Sequence, residues 1–548
     1  MNKKFYFRCC VLLVFICGGM VLSVGCEGIS SYGEFYEVEA SPEKLREIEK
    51  LELRDMESEK KSRADVNETA AKDVELTLEK CRALALANNL DIKVQLISPS
   101  ITAQRVSEEE ARFEAAFNAR AGYIKTDTPV ATTIDIAGSS VDYSYTNLGV
   151  QVPLRTGGTV TFDLADNRAK TDSIYSIFNP SYGSDLSFSI SQPLLRNAGE
   201  RTNTYGIRIA EYERQISEAR TKLEIIRVIS LADRFYWRLY ATRRELQVRK
   251  KEYDLAKAQL EQARRFVDSG ERSQVEIVRA EAGVAEKLEG IIVAENSVRD
   301  RERELKRILN KPQLEMQTPT ILITSTEPEP VHYELEGQRA VEAAIENRME
   351  MLELELQIAE DVSTIDFRRN LALPLVTLDY TYNINGLGAT RSDSYDLLFD
   401  KRFEDHRLGV NLLVPLGNEA AKSRLRQAFY QRRQRLVTAE NRKALIELEV
   451  LNAIDQLEAN WQRILATRQN SILSGRLFEA ERRQFELGLR TSTDVLDAQT
   501  KFANAQSSEI RALAEYQIAE VDLAYATGTL LGAAKVRWEP IVPESEIN

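Results

Sequence analysis

The feature that most constrains the fold of this 548-residue chain is an internal duplication. Residues 270–281 (GERSQVEIVRAE) line up with residues 488–499 (GLRTSTDVLDAQ), and residues 88–92 (NNLDI) line up with residues 347–351 (NRMEM). The distance along the chain between a segment and its counterpart is not the same for the two pairs. The halves therefore share the order of their elements and differ by insertions between those elements.

The duplication and the composition predict six segments. They are a signal peptide (1–25), an acylated N-terminal arm or linker (26–75), a first repeat (76–310), a proline-rich connection (311–335), a second repeat (336–532) and a C-terminal tail (533–548). Each repeat is predicted to run from helix through strands to a long helix, a turn and a second long helix.

One very long helix is predicted in each repeat. Apolar residues recur with a period of about 3.5 over residues 204–267, and a matching helix is predicted over residues 419–485. At about 1.5 Å per residue, each helix is a rod on the order of 100 Å long. Gly270 and Gly488 stand where a left-handed residue would close a turn. Return helices are predicted to end near Leu309 and near residue 528.

Alternating segments between the helices predict strands. Residues 76–120 are predicted instead as two helices broken near Asn88, and residues 385–406 as a polar loop. The alternating segments are Val150/Val152/Leu154, Val160/Phe162/Leu164, Leu186/Phe188/Ile190, Val376/Leu378/Tyr380/Tyr382 and Leu408/Val410/Leu412/Val414. Any half-buried antiparallel sheet shows this pattern. In an exported chain without apolar helices, a membrane sheet with lipid on its outer face and water on its inner face explains the pattern better.

The N-terminus has the features of an export signal. A basic start is followed by apolar or small residues 9–24, which predicts a secretory signal. Residues 22–26 (LSVGC) resemble a lipoprotein processing box, so we expect cleavage before Cys26 and acylation of its thiol; ordinary signal cleavage is the alternative. No other stretch reaches the ~18 apolar residues of a membrane helix. A mature chain that crosses a membrane must then do so through β-strands.

Composition excludes several classes of function. The net charge of -12 and the pI near 5.2 argue against a nucleic-acid partner, which would need a basic face. His332 and His406 stand far apart without ligand-spaced neighbours, so no metal site or cofactor is expected. No phosphate-binding glycine loop or clustered Ser/His/Asp set is present, and the chain is not expected to be an enzyme.

The predicted elements need partners. Two long helices cannot bury both of their faces, and an apolar stripe with a period near 3.5 requires neighbouring helices. Four to six strands cannot close a membrane barrel alone, and unpaired strand edges cannot lie in lipid. Several chains that pool their strands into one barrel and their helices into one tube satisfy both needs. The number of chains does not follow from the residues.

Several ordered motifs resemble the TolC-like outer-membrane efflux family. Residues 78–89 (LEKCRALALANN) resemble the opening helix of that family. Residues 191–195 (SQPLL) and 414–416 (VPL) resemble its strand-to-helix junctions, and the two glycine turns resemble its periplasmic hairpin tips. The likeness extends over about residues 76–532.

This resemblance implies an α+β membrane protein with an internal two-fold repeat. Its long coiled-coil α-helices would form a periplasmic tube, joined to a trimeric antiparallel transmembrane β-barrel. The family's barrel has twelve strands, four from each chain, and the segment around residues 148–168 looks additional. That segment could be a longer extracellular hairpin, so the strand count stays open.

The same resemblance implies a location, partners and a function. The chain would be a homotrimer in the cell outer membrane, lipid-anchored and in contact with outer-membrane lipid. Its partners would be a periplasmic adaptor (membrane fusion) protein and an inner-membrane transporter. The implied function is a passive export duct in a tripartite efflux or type I secretion system. A structural or adhesive coiled-coil outer-membrane lipoprotein without channel activity is the alternative, and the alternating strands argue against it.

Two carboxylates are predicted to gate the duct. Asp494 and Asp497 lie three residues apart just after Gly488, hence on one helical face. The resemblance puts the family's constricting aspartates at these positions. In a symmetric assembly each would become a ring of like charges, which raises carboxylate pKa values and attracts cations. A solvated helix face is the alternative.

The helical tips carry the remaining predicted sites. The resemblance gives Arg490 and Glu276 the roles of a latch between the inner helix pair and its neighbour. Gly270, Arg272, Gly488 and Arg490 are predicted as docking tips for the adaptor's helical hairpin. Any helical hairpin favours glycine at its turn, which is the alternative for both glycines.

Overall fold

The structure, a computed structural model, describes residues 73–129 and 138–536. The predicted signal peptide, Cys26 and most of the predicted arm and tail lie outside the described residues.

Long helices dominate the described chain. In the first half they are α1 (Leu78–Asn88), α2 (Leu90–Ala111), α3 (Glu200–Asn203), α4 (Tyr205–Asp268) and α5 (Val275–Leu309). In the second half they are α6 (Gly337–Asn347), α7 (Met349–Leu371), α8 (Arg391–Phe399), α9 (Glu419–Glu486), α10 (Ser492–Ala526) and α11 (Leu530–Ala533).

The two longest helices confirm the predicted rods. α4 has 64 residues and α9 has 68, so each is on the order of 100 Å long. The turns that follow contain Gly270 at φ +79° and Gly488 at φ +81°, the left-handed conformation expected there. The halves therefore each contain one long helical hairpin, α4–α5 and α9–α10.

The strands form two sheets. They are β1 (Asp73–Leu76), β2 (Ala116–Asp127), β3 (Ser140–Pro153), β4 (Thr159–Thr171), β5 (Ser181–Pro193), β6 (Ile321–Thr324), β7 (Leu375–Gly388) and β8 (Glu404–Leu413). The large sheet has the order β2-β3-β4-β5-β7-β8 and is antiparallel throughout. β1 and β6 pair in parallel as a small separate sheet.

Two sequence predictions are wrong in part. Residues 116–120, predicted as helix, belong to β2, and all twelve residues of β2 pair with β3. The predicted loop 385–406 contains the end of β7 and the helix α8, which Thr390 and Asp393 start with a reciprocal capping box. In the second half, the extended residue Arg348 separates α6 from α7, as Asn89 separates α1 from α2 in the first half.

The main core lies where α1 and α2 pack on the middle of α4, together with α5 and the end of α10. Its fully buried side chains include Cys81, Val228, Tyr236, Leu305 and Leu322. Leu322 belongs to β6, so the connection between the repeats packs into this core. Smaller apolar clusters follow α9 and α10 towards their turn.

Within residues 73–129 and 138–536, no helix combines the length and the hydropathy that a membrane span requires.

Candidate functional site

The large sheet has one apolar face. One row of paired residues on this face is Phe117, Val150, Phe162, Phe188 and Tyr382. The rows on either side are Ala119, Leu148, Leu164, Leu186 and Ile384, and Val152, Val160, Ile190, Tyr380 and Leu408. The rings of Phe162 and Phe188 lie 5.0 Å apart. These three rows are continuous across the sheet, and together they are called the apolar band.

The opposite face of the sheet is polar. One row there is Asn118, Gly149, Asp163, Ser187 and Asn383, and the next is Gln151, Thr161, Ser189, Thr381 and Arg407. Ser189 donates to the Thr381 hydroxyl at 3.1 Å. Alternation of a wide apolar face with a hydroxyl- and amide-rich face is typical of sheets that separate lipid from water.

The connections to the long helical segments leave this sheet at one end, whereas the short helix α8 lies at the other end, between β7 and β8. β2 begins just after α2, and β7 begins just after α7; β5 and β8 finish just before α3 and α9. The turns of the hairpins α4–α5 and α9–α10 lie at the far ends of α4 and α9, on the order of 100 Å of helix away.

Asp494 contributes to the start of α10. Its carboxylate accepts hydrogen bonds from Thr491 N at 3.0 Å and from Thr491 Oγ1 at 2.8 Å, while Thr491 Oγ1 caps Asp494 N. These bonds, the backbone bond first, lower the pKa of Asp494. Asp497 lies one turn further on and is exposed. The capping role was missed from the sequence, although residues 491–494 (TSTD) have capping-box spacing.

The two predicted latch residues are not brought together within this chain. The carboxylate of Glu276 accepts from Arg279 Nη1 at 2.8 Å and from Ser492 N at 3.2 Å. Arg490 Nε donates to Gln484 Oε1 at 2.9 Å and lies 3.1 Å from a Glu481 oxygen.

A different set of contacts joins the two tips, and we call it the tip clasp. The Arg272 guanidinium donates to the carbonyl oxygen of Arg490 at 3.2 Å and lies 5.2 Å from the ring centroid of Phe485. Phe485 is only 2% exposed and packs edge-on against Phe266. The bond from Ser492 N to Glu276 completes the clasp. The sequence predicts tip roles for Arg272 and Glu276 but does not predict these particular contacts with the second repeat.

Comparison with known proteins agrees with this geometry. The outer membrane efflux protein family matches residues 340–529, which lie within the second repeat. The outer membrane protein TolC of Vibrio cholerae is 25% identical over 278 residues, which are 50% of this chain and 61% of that protein. The match thus spans less than two thirds of that relative.

Solved structures share the fold. The outer-membrane channel OprN superposes with a TM-score of 0.60 at 14% identity, over 82% of this chain and 90% of OprN. The CmeC outer membrane channel of Campylobacter jejuni gives a TM-score of 0.60 at 14% identity, over 86% of this chain and 88% of CmeC. The chain is therefore similar to the TolC-like outer-membrane efflux family, in sequence over residues 340–529 and in fold over most of its length.

The shared fold confirms the predicted α+β fold. The related proteins are outer-membrane proteins, and the matched family is one of efflux proteins. Among the residues that the structure describes, no cluster of three His, Cys, Asp or Glu side chains is arranged to hold a metal ion.

The sequence also gives no sign of one half-buried acid. Glu520 of α10 lines a cavity of about 470 Å³ together with apolar side chains such as Trp237 and Leu457. Burial raises the pKa of Glu520 to about 7. Nothing in its local sequence marks it, because the cavity is built from segments distant in the chain.

Proposed function

We propose that the chain is one subunit of an outer-membrane channel, a passive export duct from the periplasm to the exterior. The observation that carries this proposal is the combination of a two-faced sheet with two rod-length helical hairpins leaving the same end of it. A sheet of this kind suits a membrane wall, and the hairpins suit a tube that extends from it into the periplasm.

The edges of the sheet support assembly from several copies. β2 and β8 are its edge strands, and their side chains are almost all exposed, including Phe117 at 61% and Val410 at 65%. Unpaired strand edges cannot be placed in lipid, because their backbone groups would have no hydrogen-bond partners. Copies of this chain that pair edge to edge would remove this cost, and the family resemblance favours three.

The long helices support the same conclusion. α9 exposes large apolar side chains along its length, among them Leu436, Leu445, Leu448, Leu451 and Leu465. Such a stripe on a soluble rod marks a packing surface. Neighbouring copies would cover it and complete a tube.

The tips support docking to a periplasmic adaptor, which would join the duct to an inner-membrane transporter. Near the turns, Val275, Val278, Leu487 and Leu489 are exposed, Leu489 at 72%. Together with Arg272 and Arg490 they offer apolar contact and positive charge to a partner helical hairpin. In this proposal the energy for export comes from the transporter.

Planar-bilayer recording of the purified protein tests the channel. We expect discrete conductance steps, since a closed wall around a polar face leaves a water-filled path. Protein that is inserted in the membrane but gives no conductance would support the alternative, a structural or adhesive coiled-coil lipoprotein.

A photo-crosslinking residue at Leu489 tests the docking in cells. The expected result is a covalent adduct with an adaptor protein, while the same residue at Leu465, far from the turn, serves as the control. Equal adduct formation at both positions would contradict docking at the tips.

A further inference from the structure

The hairpin of β3 and β4 is integrated in the sheet along its whole length. β3 pairs with β2 over residues 140–151 and with β4 over residues 141–153. β4 in turn pairs with β5 over residues 159–169. A strand of about 9–11 residues suffices to cross a bilayer at the usual tilt. Both strands of the hairpin are long enough to do so.

The turn of this hairpin lies at the helical end of the sheet. Gly199 N, at the start of α3, donates to the carbonyl oxygen of Thr156 in the turn at 3.0 Å. Gly157 has φ +91°, and a Cβ there would lie 2.2 Å from the carbonyl oxygen of Asn197. The turn is therefore packed against the chain that leads into α4. A hairpin that protruded from the opposite end could not make these contacts.

The hairpin also continues both faces of the sheet. Leu148, Val150 and Phe162 lie in the apolar band, between residues of β2 and β5. Asn147 and Thr161 lie on the polar face. A hairpin outside the membrane would not need one apolar face and one polar face.

We propose that β3 and β4 are wall strands, so that each chain contributes six strands to the barrel rather than the family's four. This inference rests on the proposed function, and three copies of the six-stranded sheet then give a barrel of eighteen strands. Barrel diameter grows roughly linearly with strand number, so this barrel is about 1.5 times as wide as one of twelve strands.

Closure of such a barrel fits the direction of its edges. β2 runs away from the helices and β8 runs back towards them, so β8 of one copy and β2 of the next are antiparallel. An even number of strands in each chain keeps this alternation around the ring. In the closed barrel, each edge strand pairs with a strand of a second copy of this chain.

The extra width has a consequence for the cargo. The polar face of the added hairpin presents amide, hydroxyl and carboxylate groups, including Asn147, Thr161 and Asp163. A wider opening lined in this way suits bulky hydrophilic solutes at the exit of the duct.

Thiol labelling of the full-length protein in lipid vesicles tests the wall position. Asn147→Cys faces the polar side and Leu148→Cys the apolar band, while the native Cys81 is fully buried and gives little background. A membrane-impermeant maleimide is expected to label Asn147→Cys at least ~10-fold faster than Leu148→Cys. Thr161→Cys and Phe162→Cys form a second matched pair. Equal labelling within both pairs would overturn the inference.

Deletion of residues 139–172 gives an independent test. It removes two strands, so β2 and β5 become antiparallel neighbours with Phe117 and Phe188 still on one face. We expect the variant to conduct but to exclude polyethylene glycols, added on the barrel side, that enter the wild-type pore. An unchanged size limit would contradict the inference, and if the variant does not assemble, the thiol pairs decide.

These outcomes separate the two proposals. A wild-type protein that never conducts contradicts the channel itself. A conducting wild type with equal labelling in both thiol pairs contradicts only the six-stranded wall.

Discussion

Asp494 and Asp497 lie one helical turn apart at the start of α10, and their surroundings differ. Asp494 is bonded to Thr491, whereas Asp497 is exposed beyond the helix start. Replacement of both by alanine would therefore change the charge and the cap together. Loss of a helix cap costs about 1 kcal/mol.

The constriction hypothesis predicts a specific effect of removing charge alone. Asp497→Asn and Asp494→Gln are expected to raise single-channel conductance and weaken block by divalent cations, because glutamine can still complete a capping box. Recordings with and without Mg²⁺ measure both effects. Thr493→Ala, at an exposed position on the same helix, is the uncharged control. Unchanged conductance and unchanged block in both variants would contradict the gate.

Glu520 predicts a dependence of stability on pH. Its pKa is about 7 in the folded chain, above the ordinary value of 4.5, so the folded state holds this proton more tightly. The resulting stabilisation is present below about pH 4.5 and is lost as the pH rises through about 7. Glu520→Gln should thus be more stable than wild type at pH 8, by on the order of 1 kcal/mol, and similar at pH 4.5.

Thermal unfolding of detergent-purified protein at both pH values measures this difference. Glu509→Gln on the same helix is the matched control and should show no such trend. A Glu520→Gln variant that tracks the wild type at every pH would show that the carboxyl is not buried in the assembled protein.

At the scale of elements, the tip clasp predicts that the two hairpins of one chain are held together at their turns. Arg272→Ala removes both the bond to Arg490 and the contact with Phe485. We expect faster hydrogen exchange of the backbone amides at residues 488–492. The lost hydrogen bond to a backbone carbonyl and the lost cation–π contact are each worth about 1 kcal/mol.

Mass-spectrometric hydrogen exchange resolves this segment. Arg265→Ala, an exposed arginine in the last turn of α4, is the matched control. If exchange at residues 488–492 is the same in both variants, the clasp does not hold the second tip.

The elements also show what the sequence could and could not predict. α4 and α9 were predicted to within two residues, since their apolar periodicity persists over more than sixty residues. The first five residues of β2 are predicted as helix because alanine favours helix, and only their pairing with β3 makes them part of a strand. β1 is not predicted from the sequence, because its partner β6 lies in the distant connection between the repeats and such pairing leaves no local pattern.

The candidate site was predictable to a similar degree. Family likeness located the tips and their charged residues. The pairing of Arg272 with Arg490 and of Glu276 with Ser492 depends on two turns far apart in the chain meeting in space. No periodicity or spacing within either segment contains that information.

At the scale of the whole molecule, several copies of the chain must share one wall to form the proposed duct. A lone chain leaves the edges of β2 and β8 unpaired and the apolar stripe of α9 exposed. Both defects disappear when neighbours supply the missing strand and helix. Conduction should therefore be a property of the assembly and not of the subunit.

Gel filtration of the detergent-purified protein, followed by planar-bilayer recording of each fraction, tests this requirement most directly. We predict that a fraction with the mass of about three chains conducts in discrete steps and that any single-chain fraction is silent. A conducting single-chain fraction, or an assembled fraction that inserts but never conducts, would contradict the account.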